Sequence, residues 1–183
     1  MLHFLVCGLL FWIFLICWQD YFIAICSSLL FAVHPGNTEA VSWISGITDV
    51  SCGLFFLLSF LVYLKDRVEP SLSKLFLLSF LFFLGLLSKE TMAVFLAVIF
   101  IYDWLEKGRL PPFTRLLRLY LPLLGVFAAY LLLRIHAIGG FTDPLHIRYD
   151  FLNPFQLFMN QLLVLSRYVS LFFFFVSLYA HYL

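Results

Sequence analysis

The chain has 183 residues, of which 64% are apolar and 20% aromatic, including 24 phenylalanines, while only 11% are charged. A soluble domain is nearer half apolar and about a quarter charged, so no soluble fold of this length can hide so much Phe and Leu. The net charge of +1 comes from basic residues scattered between apolar segments, with no stripe that would hold nucleic acid.

The apolar runs follow one another with short polar breaks. The first spans His3 to Trp18 and ends at Gln19-Asp20; the second spans Tyr21 to Val33 and ends at His34-Pro35-Gly36. The third runs from Val50 to Leu64, stopped by Lys65-Asp66-Arg67, and the fourth from Leu75 to Leu87, followed by Ser88-Lys89-Glu90. The fifth covers Met92 to Trp104 and the sixth Leu119 to Leu133, closed by Arg134; a polar connection, Ile135 to Pro154, precedes a last run from Phe155 to Leu183. Several are shorter than the ~20 residues that cross a ~30 Å hydrocarbon core, so flanking residues must extend them or some are only partly embedded. Spanning backbone is satisfied only in helices or closed barrels, and these runs show no period-2 alternation. The expected class is therefore an all-α integral membrane protein, one polytopic helical domain over 1–183, with about seven transmembrane or partly embedded helices.

Cys7, Cys17, Cys26 and Cys52 all lie in apolar runs without metal-ligand or CxxC spacing, which predicts small buried thiols. No metal signature is present elsewhere. The N-terminus has neither a basic n-region nor a small-residue cleavage site, so no signal peptide is predicted. Met1 instead abuts an apolar run already under way, the pattern of a chain that starts within a longer protein.

Positive charge sets the orientation. Lys65, Arg67 and Lys74 flank one connection, and Lys107, Arg109, Arg115 and Arg118 flank another; together these are seven of the eleven basic residues. Alternation of helices places both connections on the cytoplasmic side. The opposite face then carries His34, Glu39, Asp49, Lys89, Glu90, Arg134, His136, His146 and Arg148. Ionisable groups at a bilayer boundary are costly enough to mark a functional site, so chemistry is expected on that outer face.

Within the outer stretch, Pro35-Gly36 should break the second helix. Asn37 is placed to cap a short interfacial helix, Thr38 to Ser45, stopped by Gly46 and anchored by Trp43. Thr48 or Asp49 could cap the helix that follows. His34 and Glu39 have no obvious capping job.

Taken together, these pieces resemble a known family. Ala32-Val33-His34-Pro35, Thr38-Glu39-Ala40-Val41, Trp43-Ile44-Ser45-Gly46 and Asp49 look like the signature of the transmembrane-and-tetratricopeptide O-mannosyltransferases and their prokaryotic relatives. Leu87-Ser88-Lys89-Glu90 with Tyr102-Asp103-Trp104 is similar to a second signature. Tyr130 to Arg134, Gly139-Gly140, Asn153-Pro154 and Arg167-Tyr168 are similar to later ones. The resemblance implies a GT-C glycosyltransferase bundle in the membrane portion of such an enzyme. It implies a sugar, mannose in the eukaryotic relatives, moved from polyprenyl phosphate to protein hydroxyls at the outer or lumenal face. The setting would be a bacterial or archaeal plasma membrane or the endoplasmic reticulum membrane, and the partners the bilayer, the lipid-linked sugar and an acceptor protein. The family's catalytic acid belongs to a first outer loop, after which this chain begins; its C-terminal tetratricopeptide array is absent from these residues, and Ile47 stands where the family often has a basic residue.

Such a transfer needs a carboxylate to accept the hydroxyl proton and fixed positive charge to receive the departing phosphate. Glu39, Asp49 and Glu90 are the candidate carboxylates. His34, Lys89, Arg134, Arg148 and Arg167 are the candidate substrate-binding residues, Arg being well shaped for phosphate. No cofactor is implied beyond the lipid-linked donor, and a divalent metal is left open. Each residue also has a plainer role. Lys89 could snorkel to the interface, Glu90 could neutralise Lys89 or an Arg, and Arg134 could face a helix C-terminus. Arg167, inside an apolar run, needs a partner or a cavity. The alternative for the whole chain is a non-catalytic scaffold or a transporter-like remnant of the same fold.

Overall fold

The computed structural model describes residues 1–65, 71–108, 112–138 and 153–173. Among these the chain is helical, with no strand. The first two apolar runs form α1 (Leu2–Trp18) and α2 (Tyr21–Val33). Gln19 takes a left-handed conformation (φ 53°) and sends its N–H to the Leu15 carbonyl, 2.9 Å. Asp20 then caps α2, its Oδ1 accepting from the Phe22 and Ile23 amides at 2.7 and 3.2 Å. That two-residue reversal folds α2 back along α1, so that the His3 ring stacks on Phe31 with centroids 5.6 Å apart.

Pro35 ends α2, as expected, but Asn37 acts on the other side of the break. The Phe31 carbonyl would normally receive the N–H of residue 35, and proline has none. The Asn37 side-chain amide donates to that carbonyl instead, at 2.6 Å. Asn37 therefore closes α2. A 3₁₀ turn, Pro35–Asn37, leads into α3 (Thr38–Ser42), which stops three residues before the expected Ser45; a second 3₁₀ turn, Ile44–Gly46, joins it to α4 (Ile47–Lys65). The junction is tight. Gly46 lies so close to α3 that a Cβ there would meet the Ala40 carbonyl oxygen at 2.4 Å and Ala40 Cα at 2.7 Å.

The next run forms α5 (Leu72–Ser88), which a 3₁₀ turn, Glu90–Ala93, connects to α6 (Val94–Lys107). A single turn, α7 (Phe113–Arg115), a π turn over Leu116–Tyr120 and α8 (Leu121–Ile138) then follow without interruption. The expected connection from Ile135 is shorter than predicted, because nothing disfavours helix until Gly139-Gly140 and α8 continues to Ile138. Residues 139–152 of that connection lie outside the described residues. The last helix, α9, runs Pro154–Phe173.

α4 packs on α1 and on α5, and α5 packs on α8. The core is aromatic: Phe82 of α5 and Phe95 of α6 are fully buried with centroids 5.8 Å apart, and Phe56 of α4 meets Phe95 edge-on at 5.3 Å. Edge-to-face and offset geometries are the ones that ring quadrupoles favour. Met92, fully buried, fills the space over Gly85, where a Cβ would come within 2.7 Å of its Cγ and Sδ. The cysteines are not uniformly buried. Cys52 is, Cys7 and Cys17 are half-buried, and Cys26 is exposed on the outer side of α2.

Two described helical stretches, Ile47–Lys65 and Phe113–Ala137, are long and apolar enough to cross a membrane, and only 22% and 17% of their apolar windows are buried. The central helix of a soluble protein would be mostly buried, so these helices present their apolar surface outward, as in a membrane protein. α1, α2 and α5 are apolar but shorter.

The two glycine contacts make a graded prediction. Gly46→Ala drives a methyl group into backbone and should cost about 1–3 kcal/mol, the usual scale of overpacking. Gly85→Ala meets a methionine, which can re-pack, and should lower the thermal midpoint in detergent less than Gly46→Ala does. Equal midpoints for the two variants would show that the α3–α4 junction is not as close as described.

Candidate functional site at the α5–α6 elbow

Between α5 and the 3₁₀ turn, Lys89 is the one extended residue, with φ −160° and ψ 136°. Its N–H closes α5 on the Gly85 carbonyl (2.9 Å) and its carbonyl accepts from the Met92 amide (3.1 Å). The change from extended Lys89 to the 3₁₀ turn at Glu90 sends the two neighbouring side chains to different helices. Lys89 forms an ion pair with Asp49 in the first turn of α4, while Glu90 forms one with Arg134, one turn before the end of α8. Arg134 Nη1 also donates to the Tyr130 hydroxyl at 3.4 Å. Cys52, one turn on from Asp49, sits against the same elbow, its Sγ 3.8 Å from the Lys89 carbonyl and from Thr91 Oγ1.

Beside the Glu90–Arg134 pair lies a cleft of about 230 Å³, with Tyr130 in its polar part and Ala93, Phe127, Leu131 and Ile135 as apolar walls. The four charged side chains at the elbow are 37–58% exposed, so they are held in place yet reachable. Of the four, Arg134 and Glu90 line the cleft: a guanidinium can receive a phosphate there, a carboxylate can receive a proton, and the apolar wall can take a hydrocarbon chain, with the Lys89–Asp49 pair on the adjoining residue of the elbow. Part-exposed ion pairs contribute only about 0.2–1 kcal/mol each, so partner exchange with an incoming anion is cheap.

Of the residues singled out in the sequence, Asp49, Lys89, Glu90 and Arg134 meet here. Lys89 does not merely snorkel, Asp49 is not spent as a cap, and Arg134 is not helix-terminal, because α8 runs one turn further. His34 is turned onto its own loop, its Nδ1 accepting from the Gly36 amide at 3.0 Å. Glu39 is on α3 and Arg167 on α9, but their side chains lie outside the described residues, as does Arg148 entirely.

A second polar cluster was not anticipated. Asp103, fully buried near the C-terminal end of α6, accepts four hydrogen bonds. Tyr63 Oη donates to Oδ1 at 2.6 Å and Tyr120 Oη to Oδ2 at 3.0 Å. Arg115 grips both oxygens, Nη2 to Oδ1 at 2.7 Å and Nε to Oδ2 at 2.9 Å. The sequence noted Asp103 only within Tyr102-Asp103-Trp104, and counted Arg115 among loop charges. The available signal was a carboxylate inside an apolar run, where a charge needs a partner.

The two clusters mark opposite ends of the bundle. Asp49 and Tyr63 are fourteen residues apart on α4, a rise of about 21 Å. The start of α4, the α5–α6 elbow and the end of α8 gather at one end; the ends of α4 and α6 and the start of the α7–α8 rod gather at the other.

Comparison with known proteins gives a partial likeness that agrees with the signatures. The chain is 40% identical over 90 residues to protein O-mannosyl-transferase TMTC4 of Homo sapiens, covering 45% of this chain and 12% of that protein. It is 55% identical over 49 residues to protein O-mannosyl-transferase tmtc2 of Xenopus laevis (27% and 5%), and 40% identical over 91 residues to TMTC1 of Mus musculus (44% and 10%). The chain thus spans a small part of the length of the curated relatives it matches. No family model matches it, and no solved structure does. The likeness supports a glycosyltransferase role in general and a membrane setting.

Proposed function

We propose that this chain is a membrane module of a GT-C-type glycosyltransferase, a bundle of about seven transmembrane or partly embedded helices. It would transfer a sugar, mannose by its likeness, from polyprenyl phosphate to protein hydroxyls at the outer or lumenal face. One coincidence carries the reading. The chain is similar to proteins named O-mannosyl-transferases, and the two elements such chemistry requires, a reachable carboxylate and a reachable cation, Glu90 and Arg134, line one apolar cleft.

The chemistry follows from partner exchange. An arriving phosphate takes Arg134 from Glu90, since a bidentate guanidinium–phosphate contact is stronger than a part-exposed carboxylate pair. Glu90 is released beside the cleft. As the acceptor oxygen attacks the sugar's anomeric carbon, the bond from that carbon to the phosphate oxygen breaks. The phosphate leaves with the bonding pair, stabilised by Arg134 and Lys89, and the hydroxyl proton passes to a carboxylate. Glu90 and Asp49 are placed for that role, with Glu39 as a further candidate; Arg148 and Arg167 would add positive charge, and His34 would form part of the substrate wall. The second reading, a non-catalytic scaffold, is favoured by the same pairing, because each elbow carboxylate already has a cation.

Transfer of radiolabelled mannose from polyprenyl-phosphate mannose, measured in membranes containing the full-length protein, separates the readings. Arg134→Ala should lower the rate by about 10²-fold or more, the scale of losing one preorganised charge partner in a transition state, with Lys89→Ala and Glu90→Gln also depressed. Full transfer in all three variants would sink the site assignment, and no transfer in the unaltered protein would favour the scaffold. A charge swap tests the pairing itself. Arg134→Glu should lower the thermal midpoint by setting like charges together, and Glu90→Arg combined with Arg134→Glu should recover most of that loss without recovering transfer.

A further inference from the structure

Asp103 lies far from the elbow, yet the two are mechanically linked. Residues 90–107 are continuous helix, and so are residues 113–138. The first rod carries acids near both ends, Glu90 and Asp103; the second carries their arginine partners, Arg134 and Arg115. We propose that Asp103 is a positioning residue, whose grip on Arg115, Tyr63 and Tyr120 fixes the register of the α7–α8 rod against α6 and so determines where Arg134 meets Glu90. A slip of one residue would move Arg134 by about 1.5 Å along the axis and about 100° around it, enough to take the guanidinium out of the cleft.

The π turn is the sequence's means to that grip. Arg115 and Tyr120 are five residues apart, which on an α-helix puts them about 140° apart around the axis. The π turn at Leu116–Tyr120, with its i→i+5 hydrogen bonding, brings both to one side, where they reach the two oxygens of the same carboxylate. Phe100 of α6 meets the Tyr120 ring edge-on at 6.3 Å, completing the joint. Buried ion pairs are often replaceable by apolar groups at little cost in stability, and in several proteins they secure a unique arrangement instead. The expected signature is therefore a change in geometry out of proportion to the change in stability.

Disulfide trapping reads that geometry directly and needs no transfer assay. Although the word positioning rests on the elbow being the working end, its failure and the failure of that function are seen in different experiments. In a chain with Cys7, Cys17, Cys26 and Cys52 replaced by Ala, Ala93→Cys is paired with Leu131→Cys or with Ile135→Cys, all at the cleft. The pairs are oxidised in membranes. Asp103→Asn should change the ratio of the two cross-linking rates at least fivefold, and Tyr120→Phe, which keeps the ring, should change it about twofold. Arg115→Lys should not preserve the ratio, since an ammonium cannot grip two oxygens in a fork. Unchanged ratios in folded Asp103→Asn and Tyr120→Phe proteins, with only a lower thermal midpoint, would overturn the proposal; if Asp103→Asn does not fold, the Tyr120→Phe ratio decides alone.

Discussion

A carboxylate in an apolar interior is tolerated only when its charge and its lone pairs are satisfied, and Asp103 sets that condition for this bundle. Its four donors come from α4, from α7 and from the π turn. None is near it in sequence, so satisfying one side chain requires three separate segments to arrive at one place. The aromatic core is permissive by comparison, because Phe82, Phe95 and Phe56 attract through area and ring geometry and could settle in several registers. Non-directional burial drives the helices together; the directional contacts at Asp103 choose among the ways of packing them.

The elbow at the other end is built on the opposite principle. Its pairs are half-exposed, and such pairs are weak and replaceable. A fully buried clamp that cannot exchange partners and an open bracket that can are suited to different work. The first holds a register, and the second can hand its cations to an incoming anion. Lys89 and Glu90 give the bracket its form with two consecutive residues of opposite sign where extended Lys89 meets the 3₁₀ turn that Glu90 opens, so one short segment links α4 to α8.

The helices were legible in the sequence because their apolar runs end at strong local signals. Tyr21–Val33 is reproduced to the residue, since Asp20 caps one end and Pro35 breaks the other. Charged residues were weaker stops. Lys65 falls inside its helix and Arg134 a full turn inside α8, because a long polar side chain can continue a helix and reach outward. The elbow residues were identifiable as costly charges near a boundary, but their pairing was not: Lys89 and Glu90 are neighbours that choose different partners, a fact of backbone direction. Asp103 was missed for a related reason. Its partners are 40, 12 and 17 residues away, and a π turn, which no simple periodicity announces, is what brings two of them together. Asn37 had the right chemistry for a cap but served the preceding helix, because the donor that Pro35 lacks is missing there.

Helix length connects the elbow to the membrane. α4, at 19 residues, rises about 28 Å and α2, at 13, about 20 Å, at or below the ~30 Å of a hydrocarbon core. Helices this short bring their polar ends to the edge of the hydrocarbon instead of carrying them into water, and a bilayer meets such mismatch by thinning. On the proposed function, Asp49, Lys89, Glu90 and Arg134 would sit at the level where a lipid presents its phosphate, with the apolar walls of the cleft facing the chain region. Exposed apolar side chains such as Val94 and Leu132 extend that greasy surface past the cleft. On the proposed function, the short helices are as much a part of the site as its charges, because they place a lipid-borne substrate and the groups that act on it at one depth.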